Sequence, residues 1–165
     1  MGLVGIEAVL SAIVTKLQTD MPAKLAALNA LYADAYVLEV IAPESYYTDE
    51  PDVLAPMFSF PAIVLIDDGH GPQLGSSNPE LQVVDYAVVV DFLVRGEDAT
   101  DISKRLRRYT RAAKEILLAR HSLAPTCTMC EWEATNGTRL TNRDSGDYLQ
   151  DMASRFLVTT AERTT

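Results

Sequence analysis

The stretch VVDYAVVVDFLVRGEDATDISKRLRRYTRAAKEILLAR, Val83 to Arg120, decides the fold. Its first part alternates. Tyr86, Val88, Val90, Phe92 and Val94 point one way, and Ala87, Val89, Asp91, Leu93 and Arg95 point the other. A period of two built from β-branched and aromatic residues predicts a strand over Val83–Arg95. Gly96-Glu97-Asp98 turns the chain, and the period then changes. Over Ala99–Arg120, residues Ile102, Leu106, Tyr109, Ala113, Ile116 and Leu117 share one side of a helix at about 100° per residue. Lys104, Arg107, Arg108 and Arg111 fall on the opposite side. Asp98 or Thr100 can cap the start, Asp101 suits the first turn, and Arg120 suits the last. A strand that turns directly into an amphipathic helix allows the helix to fold back over the strand's apolar face.

Upstream, Leu3, Ile6, Val9, Leu10, Ile13, Val14 and Leu17 predict a helix over about Val4–Thr19. Asp20-Met21-Pro22 reads as a cap with a proline in a first turn, so a separate helix or a sharp bend is expected, with Leu25, Leu28, Leu31 and Tyr32 on one side. Tyr36–Ile41 is a short strand or extended crossing. Ala42–Ser59 is a loop holding Pro43, Pro51 and Pro56 among acidic residues. Its Tyr46-Tyr47 and Met57-Phe58 pairs either pin it to the body or form a contact surface for another subunit. Phe60–Asp67 is a strand opening at Pro61. Asp68–Gln82 is read as a long irregular link.

Downstream, Cys127–Thr135 reads as a strand with Trp132 packing on one face. Asn136-Gly137 is a good two-residue hairpin turn, with Thr138–Asn142 returning. Asp144-Ser145-Gly146-Asp147 turns again into a last long strand, Tyr148–Thr160. The tail Ala161–Thr165 is polar. The order predicts one α+β domain over residues 1–165: a mainly antiparallel sheet of about four long strands with helices on one face, a small hairpin, and long loops at 42–59 and 68–82.

The 165 residues can bury about 70% of the surface of the unfolded chain, enough for a core without a metal or disulfide. A 48% hydrophobic content is that of a globular protein. No apolar run reaches the roughly 20 residues of a membrane helix. Met1–Leu17 has no basic leader and carries Glu7, so a cytoplasmic origin is expected. The net charge of −9 argues against a general nucleic-acid binder. The charge is segregated, however. Lys104–Arg120 holds seven basic residues and one acid, a balance of +6, which leaves −15 for the rest. A basic helix on an acidic body is either a solvated face or a means of self-association.

Reaction chemistry is not specified. Gly-x-Gly-x-x-Gly, a P-loop lysine and Gly-x-Ser-x-Gly are all missing from the sequence. Cys127 and Cys130 form one Cys-x-x-Cys, but a structural zinc site needs four ligands and no second pair exists. The pair sits in strand-like sequence, where residues three apart face opposite sides, and reads as reduced thiols. Asp67-Asp68-Gly69-His70-Gly71 has an incomplete calcium-like spacing and reads as a turn. The aromatic strand signature of an RNA-recognition domain is missing from Tyr86–Val94. No catalytic, metal or cofactor-binding residue is therefore assigned and no cofactor is expected. An enzyme using Asp67, Asp68 and His70 remains the weakest of the functional alternatives.

Several segments together resemble the tail terminator and tail-completion proteins of long-tailed bacteriophages. They are the N-terminal helix, Phe60-Pro61-Ala62-Ile63-Val64, the strand Tyr86–Val94, the helix Asp101–Leu118 and the closing Arg155-Phe156-Leu157-Val158-Thr159. The resemblance lies in the order of elements over most of the chain, with no catalytic motif in it. It implies a virion protein that assembles in the host cytoplasm as a hexameric ring, caps the tail tube and meets the head-side connector. The partners implied are copies of itself, the tail tube protein and a connector or neck protein, with no membrane and no sequence-specific nucleic acid. Lys104, Arg107, Arg108, Arg111, Asp67, Asp68, His70, Tyr46 and Tyr47 are the candidate contacts of such a subunit. The alternatives are a small-molecule-binding or regulatory α+β domain, and a head-completion or connector protein.

Overall fold

Two sixteen-residue strands set the frame. The computed structural model describes residues 4–49, 51, 58–72, 81–136, 139–142 and 147–163. Within it the elements are α1 (Ile6–Tyr32), a single 3-10 turn (Pro43–Ser45), β1 (Tyr46–Tyr47), β2 (Ala62–Pro72), β3 (Leu81–Gly96), α2 (Ala99–Leu117), β4 (Met129–Thr135), β5 (Arg139–Asn142) and β6 (Tyr148–Arg163). β3 and β6 pair antiparallel along their whole length, from Leu81 opposite Arg163 to Gly96 opposite Tyr148. The sheet order is β1-β2-β3-β6-β4, with β5 also on β6. Only the short β1–β2 pair is parallel. The fold is α+β with a mostly antiparallel sheet, as the sequence predicts.

Both helices cover the same face. Tyr86, Val88, Val90, Phe92 and Val94 of β3 meet Ile102, Leu106, Tyr109, Ala113, Ile116 and Leu117 of α2 in one core, which Val9, Ile13, Leu17, Met21 and Leu25 of α1 complete. Leu106, Phe156, Val158 and Ile13 have no exposed surface, and burial of side chains this size contributes about 1.5–3 kcal/mol each. Among the described residues, the opposite face has a small cluster at one end, where Ala62, Val64 and Leu93 sit under Tyr47, Phe58, Phe60 and Leu149.

Four expectations are corrected. First, α1 is one helix of 27 residues that runs through Pro22. Its apolar stripe continues at Ile13, Leu17, Met21, Leu25 and Leu28, so packing carries the helix past the proline. Pro22 is on the exposed side, and Leu31, expected on the apolar side, is 65% exposed. Second, the irregular link expected at 68–82 is largely sheet. β2 continues to Pro72 and β3 begins at Leu81, while residues 73–80 lie outside the described residues. One extra residue is absorbed between Asp67 and His70, a bulge with Gly69 at φ +107.

Third, the Asn136-Gly137 hairpin is not formed. Residues 137 and 138 lie outside the described residues, but the flanking strands do not pair with each other. β4 pairs with β6 from Thr159 to Ser154, and β5 pairs with β6 from Asp151 to Tyr148. They follow one another along the same edge, because β6 is long enough to take both and a hairpin would leave half of that edge unpaired. Fourth, α2 ends at Leu117 and β4 begins at Met129, so Arg120 lies past the helix and Cys127 precedes the strand.

Candidate functional site

α2 has an exposed stripe that neither the sheet nor α1 covers. Asp98 starts the helix: its carboxylate accepts from the N–H of Thr100 at 2.7 Å and of Asp101 at 3.4 Å. From there Lys104, Arg107 and Arg111 reach solvent, while Lys114 is half-buried. Lys104 lies over the Tyr36 ring, 4.0 Å from its centre. Arg111 donates to Glu115 at 2.7 Å and to the Tyr32 hydroxyl at 2.9 Å. Lys24 also binds Glu115, and the hydrogen bonds from Lys24 and Arg111 hold the Glu115 carboxyl below its ordinary range. Arg107 makes no hydrogen bond or ion pair with any described residue.

Beside this stripe runs an open groove of about 640 Å³ between α2 and the β4–β6 edge. Arg107, Arg111 and Lys114 form its cationic rim, with Leu118, Thr135 and Met152 among its lining. Lys114 sits 3.4 Å from the centre of the Trp132 ring. That ring is 41% exposed and Leu118 is 43% exposed, so apolar surface lies open next to positive charge. Trp132 was expected to pack on one face. It does lie on the helix side, opposite Phe156, with Lys114 over its ring, but it stays exposed.

Arg108 is placed differently from the other cations. The helical spacing puts it opposite the sheet-facing side, yet it is buried. Its guanidinium binds the Asp34 carboxylate through two nitrogens, one at 2.8 Å, donates to the Tyr36 carbonyl at 2.9 Å and lies 3.8 Å from the Tyr32 ring centre. The Arg108 hydrogen bond holds the Asp34 carboxyl down at about 2. Arg108 thus ties the end of α1 to α2. α2 is covered on two flanks, by the sheet and by α1, and a search for one apolar stripe finds only the first. Asn29 plays a similar part and was not singled out: its amide bonds both the carbonyl of Leu38, at 2.9 Å, and its N–H, at 2.8 Å. A polar residue within an apolar helical run was its only signal.

The other candidates lie elsewhere. Tyr46 is half-buried against the main core, and burial pushes its hydroxyl up to about 12. Tyr47 stacks on Phe58 with ring centres 5.1 Å apart. Both rings pack against core clusters of the subunit, and residues 50 and 52–57 of the 42–59 segment lie outside the described residues. Asp67, Asp68 and His70 surround the β2 bulge. Asp67 accepts from the N–H of Gly69 at 3.0 Å, Asp68 accepts from Arg155 at 2.7 Å, and His70 lies beside Tyr86 at 5.4 Å between ring centres. Successive side chains here diverge to opposite faces, so the three do not converge. No group of three or more potential metal ligands occurs among the described residues.

Cys127 is buried and Cys130 half-buried, and both contribute to the helix-side core. The opposite-face expectation fails because Cys127 precedes the strand. Burial pushes the Cys127 thiol up to about 11 and the Cys130 thiol to about 12, which makes both poor nucleophiles.

The uncovered face of the sheet is acidic. Asp85 and Asp91 of β3 and Glu131 of β4 belong to it. Asp68 and Glu133 flank Arg155 there, each paired with its guanidinium. Asp151, opposite Leu93, and Arg95, opposite Leu149, share the face, so among the described strand side chains six carboxylates and two arginines leave it at −4. Between them lie Ile66, 45% exposed and opposite Val89, and Leu157, opposite Ala87.

No protein-family model matches the chain, and no curated protein matches it. Among solved structures, it is similar to a chain from the virion of a native gene transfer agent particle, at 14% identity, over 87% of this chain and 95% of that one, with a TM-score of 0.48. A likeness that loose assigns no role. Among the described residues no helix is long and apolar enough to cross a membrane.

Proposed function

We propose that this chain is a structural virion protein. It is a subunit of a ring, hexameric by the resemblance of its sequence, that caps a phage tail tube and meets the head-side connector. One observation carries the reading. The sheet has two unlike faces, one layered with helices and rimmed with cations, the other open and acidic. A body of that kind is suited to repeated contact with neighbours, since each interface can be modest when symmetry multiplies it. The exposed Lys104, Arg107 and Arg111 and the exposed Asp67, Asp68 and His70 are the contacts that remain available, whereas Arg108, Tyr46 and Tyr47 are engaged within the subunit.

The reading is tested on particles assembled without this protein. Overlong, ragged tails are expected. Finished tails unattached to heads would move the protein to a head-completion role, and normal particles would overturn the proposal.

The groove beside α2 supports a second reading, a small-molecule-binding domain, because about 640 Å³ lies within the range of ligand sites. A thermal shift of several degrees with an anionic metabolite, lost in Arg107→Ala, would favour it. No response across a metabolite panel would count against it.

A further inference from the structure

The cationic groove and the acidic sheet face lie on opposite sides of the same sheet. Trp132 and Met152, at the groove, are on the helix side, opposite or alongside Phe156. Glu131, Asp85 and Arg155 are on the other side, in register with Leu157, Thr159 and Val89. Each surface has the same plan with the sign reversed. On one, Leu118 and Trp132 are ringed by Arg107, Arg111 and Lys114. On the other, Ile66, Val89 and Leu157 are ringed by Asp68, Asp85 and Glu131.

We propose that the groove of one copy receives the acidic sheet face of the next. The inference rests on the ring reading above and names the two surfaces that would build the ring. Several features favour a second copy as occupant. The charges are complementary within one chain: the groove carries three cations against Glu115, and the sheet face is −4. Arg107 and Glu131 make no hydrogen bond or ion pair with any described residue, so each offers its charge outward. The apolar centres match as well, so that contact removes Leu118 and Ile66 from water together. A standard interface takes about 800 Å² from each partner, and two such faces fit on a surface of 9371 Å². Because the two surfaces differ and lie back to back, the contact is head to tail. It therefore closes as a ring or continues as a filament, and does not stop at a two-fold dimer.

The test is a charge exchange on the full chain. One variant combines Arg107→Glu with Lys114→Glu, and the other combines Glu131→Lys with Glu133→Lys. Circular dichroism and thermal melting establish that each is folded. Sedimentation at high protein concentration and low salt, with electron microscopy of the products, reads the assembly. The wild type is expected to form rings or short stacks. Each variant alone is expected to remain monomeric. An equal mixture of the two should reassemble, because in an alternating ring the reversed groove of one variant faces the reversed positions 131 and 133 of the other while the two unaltered surfaces face each other, and so should the chain carrying all four substitutions. A wild type that stays monomeric overturns the inference, as do variants that assemble like the wild type or a mixture that fails to rescue. If the groove instead meets an acidic surface of a different protein, its own reversal abolishes that contact and the four-fold variant does not restore it. Failure of the ring reading itself appears separately, as normal particles formed without the protein.

Discussion

Arg108 and Asp34 show how one ion pair can serve architecture within a segment that is otherwise suited to contact. The guanidinium is spent on Asp34, the Tyr36 carbonyl and the Tyr32 ring, which fixes the turn after α1 against α2. Its effect depends on pH in a definite direction. The folded Asp34 carboxyl is held at about 2, below its unfolded value near 3.9. The pair therefore contributes its full stability above the unfolded value and loses it as pH falls toward about 2. Asp34→Asn should lower the urea midpoint at neutral pH, and the gap from the wild type should shrink steadily between about pH 4 and about pH 2. A gap that stays constant across that window would show that the carboxylate is not held by Arg108. Thermal melts of Arg108→Lys add a further check, since an ammonium cannot reproduce the two-nitrogen grip on the carboxylate.

At the scale of elements, what the sequence makes legible is what one periodicity can express. β3 and α2 were readable because each carries a single clean period, and both fall within a residue or two at the strand and three at the helix end. α1 was misread because Pro22 is a strong local signal, while the stripe that overrides it is spread over five turns. The β2–β3 ladder was underestimated for a related reason: Asp67, Asp68, Gly69 and Gly71 have poor strand propensity, and register with β3 holds them in place. That β4 and β5 both pair with β6 was hidden by Asn136-Gly137, which reads locally as a turn between strands that pair with each other. Of the candidate contacts, the exposed cations of α2 were legible from spacing, but the groove beside them was not, because it needs Thr135 and Met152 from distant strands.

Pro22 offers a direct measurement of this override. Its ring removes the N–H that would bond the carbonyl of Gln18, and proline in a helix interior is about 3 kcal/mol less favourable than alanine. Because α1 already follows a helical path here, Pro22→Ala should stabilise the protein by about 1–3 kcal/mol, visible as a higher urea midpoint at unchanged slope. A neutral or destabilising result would mean that the backbone path set by Pro22 at this turn is itself required for packing Met21 and Leu25.

At the scale of the whole molecule, the sheet order predicts where the backbone is most protected and how assembly changes it. β3 lies between β2 and β6, while β4 has β6 on one side and no described strand on the other. Amides of Val84–Val94 should exchange slowest, near the rate set by global unfolding, and those of β4 should exchange far faster. Face-to-face association leaves this pattern almost intact, because sheet faces present side chains and the β4 edge keeps its outward N–H groups in water. Edge-to-edge association would do the opposite: a new ladder along β4 would protect those amides. Hydrogen exchange on the assembled protein therefore discriminates between two ways of building a ring from the same subunit. The charge pattern predicts β4 amides that exchange as in the monomer, together with reduced carboxyl labelling at Glu131 and Asp85. Slowed exchange along Met129–Thr135 with unchanged labelling would mean that the ring is joined through its strand edges and that the segregated charge steers the approach of copies without holding them.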